Sequence, residues 1–438
     1  MKKTTWLTFF FPASILLAAT YPDVGYDPPA SWTDPKFILS QDYPQSAPAD
    51  ETYPWATIDF EKHPQDYLKA VINYCYEGNL DVDFIPQKNT KRHWYHAPWL
   101  HYGPNQREFV HGLTGERNSR PFELSAIQTQ RYKNVAVGFY NEKGGYTLGK
   151  FWHDPAAPNT KGVSFPEGTV AFKLLFTTAT ADKVTYLANS PEWVADLDHS
   201  QNVAAIKENK VRLLQIDIAV KDARSKCGGW IFGTFHYDNA VEGKTPWEKL
   251  RPLTLLWGDD PTLTQAMAGG GTKPKESWVN SQSPIVKYRK NATAKGAPKV
   301  LGWAGRGNGP VDNPVSSCLS CHSVAETPVT SKILPPDPAS DDKKLPWFKN
   351  LKPDEAFDSG SDSFDFSQQL SAGFQNFKKF HSLAATNGGI SNEAPTLAPP
   401  RAMAAPSAPT AGTPSPGIAG TPSATPTKEF TVTRDPED

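Results

Sequence analysis

The sequence predicts a mainly β fold with minor α: an antiparallel sheet or sandwich, followed by one amphipathic helix and a disordered tail. Three observations predict it. Runs between residues 169 and 257 alternate side chains with period two, Gly- and Pro-bearing turns separate those runs, and no strand–helix alternation of a parallel sheet is present. The 41 Pro in 438 residues also favour turns and extended connections over long helices.

The first element is an arm. Residues 20 to about 60 are rich in Pro, Asp and Tyr and read as an extended segment laid over the fold. Asp66 to Cys75 reads as a helix, with Tyr67, Val71 and Tyr74 at helical spacing. In Thr169 to Phe176, Val170, Phe172, Leu174 and Phe176 take alternate positions. Leu214, Ile216, Ile218 and Val220 do the same, and Gly229 to Tyr237 and Leu253 to Trp257 complete the predicted strands. Pro166-Glu167-Gly168, Gly228-Gly229 and Gly258-Asp259-Asp260-Pro261 mark the turns. Residues 265 to 314, with Gly269-Gly270-Gly271 and then Gly302, Gly305, Gly307 and Gly309, read as loop. A phosphate-binding loop needs Gly-Lys followed by Ser or Thr, which neither stretch has. Residues 363 to 384 read as the clearest helix, capped by Asp362 or Ser363, with Leu370, Phe374, Phe377 and His381 on one face. From Ser391 to Thr427, 9 of 37 residues are Pro and most others are Ala, Thr, Ser or Gly, too little apolar surface to offset chain entropy. Phe430 to Arg434 reads as a short final strand.

The chain ends and the net charge bound its setting. Lys2 and Lys3, the apolar run from Trp6 to Ala18 and the small residues Leu17-Ala18-Ala19 form a secretory signal over 1–19, so the mature chain starts near Thr20. The run is short for a bilayer and Pro12 interrupts it, which disfavours a retained anchor. No other stretch carries the apolar length of a spanning helix, so the expectation is a periplasmic or secreted protein without stable membrane insertion after cleavage. A net charge of −1 gives no field for nucleic acid, and no nucleic-acid partner is expected.

Of the four Cys, two belong to Cys318-Leu319-Ser320-Cys321-His322. Two thiols three positions apart match the two vinyl groups of a porphyrin, and the His that follows ligates iron from the same side. The competing readings are a chance coincidence and half of a zinc site, and no second Cys pair completes the latter. The expectation is one covalent haem c on Cys318 and Cys321, with His322 as proximal iron ligand. The haem then sits near the C-terminal end of the β domain, and a redox partner protein is implied for an electron carrier. The sixth iron position decides between carrier and open-site chemistry. Met267 lies beside a Gly run and Met403 in the tail, so neither is a good ligand; His381, 59 residues after His322, is the candidate. The alternatives are an ordinary cation near a helix C-terminus and an open, five-coordinate iron. Cys75 and Cys227 remain, and in an oxidising compartment they are expected to form a disulfide; two separate buried thiols are the alternative.

The sequence resembles the β-sheet c-type cytochromes, the cytochrome c-prime-beta proteins and their hydroxylamine-oxidising relatives, over roughly residues 160 to 330. The resemblance rests on Phe165-Pro166-Glu167-Gly168-Thr169-Val170, then Gly228-Gly229-Trp230-Ile231-Phe232, then Cys318 to His322, with Phe430-Thr431-Val432-Thr433-Arg434 at the end. The spacings here are longer, about 140 residues precede the first match, and a helix and a tail separate the motif from the final segment. The resemblance implies a five-coordinate haem on His322 with a distal side open to nitric oxide or a similar ligand. Relatives that oxidise hydroxylamine cross-link a Lys to the haem; Lys173 lies in the matching strand, but its register is not fixed by sequence, so that role is not carried over.

Two further groups stand out. His93, His96 and His101 with His111 form an aromatic, Pro-bearing cluster that matches no metal motif and reads as a loop packed on the sheet. His236 shares a strand face with Trp230 and Phe232 and reads as a satisfied core His. The predicted organisation is therefore a signal (1–19), an N-terminal extended and mixed region (20–160), a β-rich domain (161–310), a haem-attachment segment and helix (311–390), a disordered linker (391–427) and a C-terminal segment (428–438). Its function is expected to be single-electron transfer, with an open-site haem enzyme or sensor and a β-sandwich binding module with accessory haem as alternatives.

Overall fold

The computed structural model describes residues 28–100 and 107–386. The predicted signal, the linker and the final strand lie outside these residues. The chain divides into two units, Met1–Asn376 and Phe377–Asp438.

The first unit is built on one antiparallel sheet of eight strands: β1 (Thr114–Ser119), β2 (Tyr132–Tyr140), β3 (Val170–Thr177), β4 (Glu192–Val194), β5 (Lys210–Lys221), β6 (Trp230–Tyr237), β7 (Leu250–Leu256) and β8 (Ser277–Val279). Their order is β1-β2-β3-β5-β6-β7-β8, with β4 pairing onto β5. Mainly β with minor α is the fold, and the four strands read from the sequence are its centre. The sheet begins earlier than predicted. β1 and β2 lie in the region read as extended and mixed, because β2 is buried on both faces and shows no alternation to read. The 265–314 segment likewise contains β8 and a helix at Pro284–Asn291 instead of loop alone.

Register sorts the side chains onto two faces. On one, Val137, Leu174, Ile216 and Phe235 are opposed across β2, β3, β5 and β6, and all four are buried. The helix Pro64–Tyr76 covers this face with Tyr67, Leu68, Val71 and Cys75. Gly233 permits the approach, since a Cβ there would lie 2.5 Å from Leu68 Cδ2. Trp94 closes the same core edge-on against Phe172 at 4.8 Å.

The opposite face carries different rows. Tyr140, Ala171, Ala219, Phe232 and Leu256 form one. Gly138, Lys173, Asp217, Thr234 and Thr254 form the next. Ala171, Lys173, Asp217 and Ala219 stay partly exposed although they lie mid-sheet. Segments from beyond residue 300 meet this face. Gly307 approaches Leu256 and Gly309 approaches Gln215 so closely that a Cβ would lie 2.6 Å from each neighbouring side chain. These glycines, read from the sequence as loop, are buried close-packing positions.

The last helix is Gln368–Thr386. It starts later than the expected 363 because residues 362–363 are a strand, β10 (Asp362–Ser363), paired with β9 (Glu326–Thr327). Ser367 takes the capping role assigned to Asp362 or Ser363: its Oγ accepts from Leu370 N at 3.2 Å.

Candidate functional site

Cys318, Cys321 and His322 lie together on a short helix, Cys318–His322. Ser317 starts it: its Oγ accepts from Ser320 N at 2.9 Å, while Ser320 Oγ accepts from Ser317 N at 2.8 Å. Ser317 Oγ also donates to Asp259 Oδ1 at 2.6 Å. Burial pushes the Asp259 carboxyl up to about 7, against the pull of Arg306 and the Ser317 bond. Arg306 is itself buried over Phe348 and donates to the carbonyls of Asp259, Asp260, Leu263 and Trp303 at 2.7–3.1 Å. One end of the motif helix is thereby fixed to the turn after β7.

The other end is fixed by residues 363–368. His322 Nδ1 lies 2.8 Å from Phe366 O, and its ring packs 4.5 Å from Phe232 on β6. A carbonyl only accepts, so Nδ1 carries the proton and Nε2 keeps a lone pair. Burial lowers the imidazole to about 4, so the ring is neutral at ordinary pH. Gln368 Nε2 donates to Cys321 O at 2.7 Å, and Phe364 N to Ala325 O at 2.8 Å.

Three of the four stretches that carry the resemblance meet at these same residues; the fourth, Phe430 to Arg434, lies outside the described residues. Phe165 N donates to Asp365 Oδ2 at 2.7 Å, and Trp230 Nε1 to Asp365 Oδ1 at 2.9 Å. Gly228 lies under the Phe366 ring, and Phe165 packs edge-on to Trp230 at 5.6 Å. Sequence reasoning missed Asp365, Phe366 and Lys221. Their signal lies in contacts across 144 residues, which no local pattern records.

The polar row of the sheet lies within electrostatic reach of the motif. Lys173 Nζ is 3.3 Å from Asp217 Oδ2 and 3.8 Å from Glu116 Oε1. Burial alone would lower the Lys173 ammonium, but Glu116, Asp217 and Asp312 outweigh it and hold the charge. Asp217 is pushed up by burial and by Asp312 against Lys173, and it accepts from Gln215 Nε2 at 2.9 Å and Thr234 Oγ1 at 2.8 Å. Lys173 and Asp312 both act on the His322 imidazole, and burial, Asp312 and Asp217 raise the Cys318 thiol. The register that the sequence leaves open is therefore fixed: Lys173 points to the face on which His322 packs.

The donor set fits a c-type haem. It comprises two Cys of one short helix, both partly exposed, and a neutral imidazole with its Nε2 unprotonated. Ala171, Lys173, Asp217 and Ala219, on the sheet face where His322 packs against Phe232, are partly exposed.

Other predicted residues lie elsewhere. The Cys75–Cys227 disulfide is not formed; both are free thiols. Cys75 faces the core from the helix Pro64–Tyr76, and the Cys227 thiol donates to Lys349 O at 3.2 Å. His381 belongs to the second unit, where it is exposed and packs locally on Phe377 at 4.3 Å and Phe380 at 5.4 Å. His236 is a hydrogen-bonded core residue, with Ser283 Oγ at Nε2 and Tyr237 O at Nδ1. His96 is buried with its Nδ1 accepting from Ser40 N at 2.9 Å, His111 stacks on Trp193 at 4.2 Å, His93 is exposed, and His101 lies outside the described residues. Among the described residues no three His, Cys, Asp or Glu side chains converge as a metal-binding group, and no helix is long and apolar enough to cross a membrane. Comparison of the chain with family models, curated proteins and solved structures gives no match.

Proposed function

We propose that this protein is an exported monohaem c-type cytochrome, periplasmic or secreted, that passes single electrons to a redox partner protein. The observation that carries the reading is His322. Its Nδ1–H is committed to Phe366 O, so Nε2 is the ring nitrogen left able to bind iron, on the same short helix as the two motif cysteines. Cys318 and Cys321 would hold the group by addition of each S–H across a vinyl C=C, sulfur to one carbon and hydrogen to the other, with no external oxidant. Bound there, the group supplies one-electron chemistry; the chain orients its axial imidazole and sets its surroundings.

The test is the alkaline pyridine haemochrome spectrum of the purified protein after acid–acetone extraction, from a host able to attach haem c. One covalent haem per chain is expected, and none in the Cys318→Ala, Cys321→Ala double variant. A chain that carries no covalent haem overturns the proposal.

A second reading is an open-site haem enzyme or sensor for a small nitrogen compound. The charged cluster of Lys173, Asp217 and Glu116, with Lys173 on the face where His322 packs, favours it, because proton-handling groups beside iron serve substrate chemistry more than electron relay. Carbon monoxide and nitric oxide separate the two. A ferrous spectrum that shifts with either gas supports the open site. A low-spin spectrum unmoved by both, and lost in His381→Ala, supports a carrier with two His ligands.

A further inference from the structure

We infer that Asp365 is a positioning residue for His322: it fixes the backbone carbonyl that orients the imidazole and so sets its strength as an iron ligand. The inference rests on the haem reading of Cys318 to His322 and names what this fold adds to it.

Asp365 and Phe366 are consecutive non-glycine residues in the left-handed region, at φ +47° and +64°. A bulky residue such as Phe rarely adopts it, and the conformation persists only where surroundings over-determine it. Here they do. Asp365 is anchored by both carboxylate oxygens. Lys221 Nζ donates to Oδ1 and Oδ2 at 2.7 and 2.8 Å, Trp230 Nε1 to Oδ1 at 2.9 Å and Phe165 N to Oδ2 at 2.7 Å. The pair is buried, with side-chain exposures of 9% for Lys221 and 0% for Asp365. Lys221 Nζ also donates to Gly228 O at 2.9 Å, in the turn that seats the Phe366 ring.

The anchor therefore joins β5, β6 and the loop before β3 to one peptide group. The next carbonyl along the chain, Phe366 O, is the partner of His322 Nδ1. Ser367 completes the hold through Tyr140, with Oγ and Oη 2.9 Å apart. A hydrogen bond from Nδ1–H raises the basicity of the opposite ring nitrogen and favours the higher oxidation state of a bound metal. Freeing the 365–366 backbone lets this carbonyl move, weakens the bond and lowers that basicity.

The test compares Asp365→Ala and Asp365→Asn with an Asp362→Ala control. Asp362 is a partner of Lys161 at the surface, four residues away in number from Phe366 but outside the anchor. Asp365→Asn retains an oxygen for Trp230 but loses the acceptor for Phe165 N, and it is read if the alanine variant does not fold. Circular dichroism checks the fold and the haemochrome spectrum checks loading. The expected result is a midpoint potential shifted upward and a ferrous Fe–His stretching band shifted to lower frequency, with both unchanged in the control. Folded, loaded Asp365 variants with unaltered potential and band overturn the inference. A readout without haem keeps it separable from the haem reading. In the long-range 1H–15N spectrum of the purified chain, His322, assigned with His322→Gln, is expected as the pure Nδ1–H tautomer, and as a mixture in the Asp365 variants. If the chain carries no haem, this spectrum alone decides the positioning role, and an unchanged tautomer overturns it.

Discussion

Replacing Gly228 with Ala tests the seat of Phe366 with a single methyl group. Gly228 sits at φ +59°, and an ideal Cβ there would lie 2.1 Å from Phe366 Cε2 and 2.7 Å from its Cζ. The aromatic ring is rigid and buried, so it relieves the clash only by shifting its own backbone. Two costs arise. A left-handed non-glycine residue costs about 1–2 kcal/mol, and forcing a methyl into a filled site costs about 1–3 kcal/mol. Ala also narrows the unfolded ensemble, which returns about 0.4–1 kcal/mol. Gly162 isolates the second cost: it has φ +60° and nothing within 4 Å of its Cβ position. Gly162→Ala carries the same backbone and unfolded-state contributions without the collision. The difference between the two variants is then the collision alone, about 1–3 kcal/mol. Urea unfolding followed by Trp fluorescence reads it. With a slope of about 3 kcal/mol per M, the Gly228→Ala midpoint should fall below that of Gly162→Ala by roughly 0.3–1 M. Coincident midpoints would refute the seating of Phe366 on Gly228, and with it the route by which the sheet holds the His322 partner.

Two further outcomes follow from buried groups. His236 is fully buried and neutral, lowered by burial to about 4 from an ordinary value of 6.5. Because the unfolded chain takes up the proton first, stability is complete above pH 6.5 and is lost as pH falls from 6.5 through 4, by about 3 kcal/mol for this residue. The His236 imidazole followed by NMR should therefore stay neutral in the folded chain down to about pH 4, and an imidazole that titrates near 6.5 contradicts the burial. Cys75 and Cys227 should both react with iodoacetamide in protein unfolded without reductant; labelling that appears only after reduction would restore the disulfide.

The sequence by itself determined the local elements and the chemical motif. Alternation in Val170–Phe176 and Leu214–Val220 is a strand signal because one face of a pleated chain is buried and the other is not. Tyr67, Val71 and Tyr74 mark a helix for the same reason at a different period. Cys318, Cys321 and His322 are legible because five consecutive residues on one turn of helix need no tertiary contact to come together. β2 was not legible, because a strand buried on both faces loses its alternation, and the cap at Ser367 was hidden behind the apter-looking Asp362 and Ser363. Only the tertiary structure decided what surrounds the motif. It placed Lys173, Asp217 and Phe232 on one face by cross-strand register, which shifts at bulges that no pattern announces. It kept Cys75 and Cys227 as separate thiols, because the composition of a chain counts its cysteines but not their surroundings. It also joined Phe165, Lys221, Gly228 and Trp230 to Asp365 and Phe366, and through Phe366 O to His322. Local propensity reads residues a few positions apart; the orientation of His322 here depends on hydrogen bonds that span 44 to 200 residues, and only the folded chain brings those partners within reach.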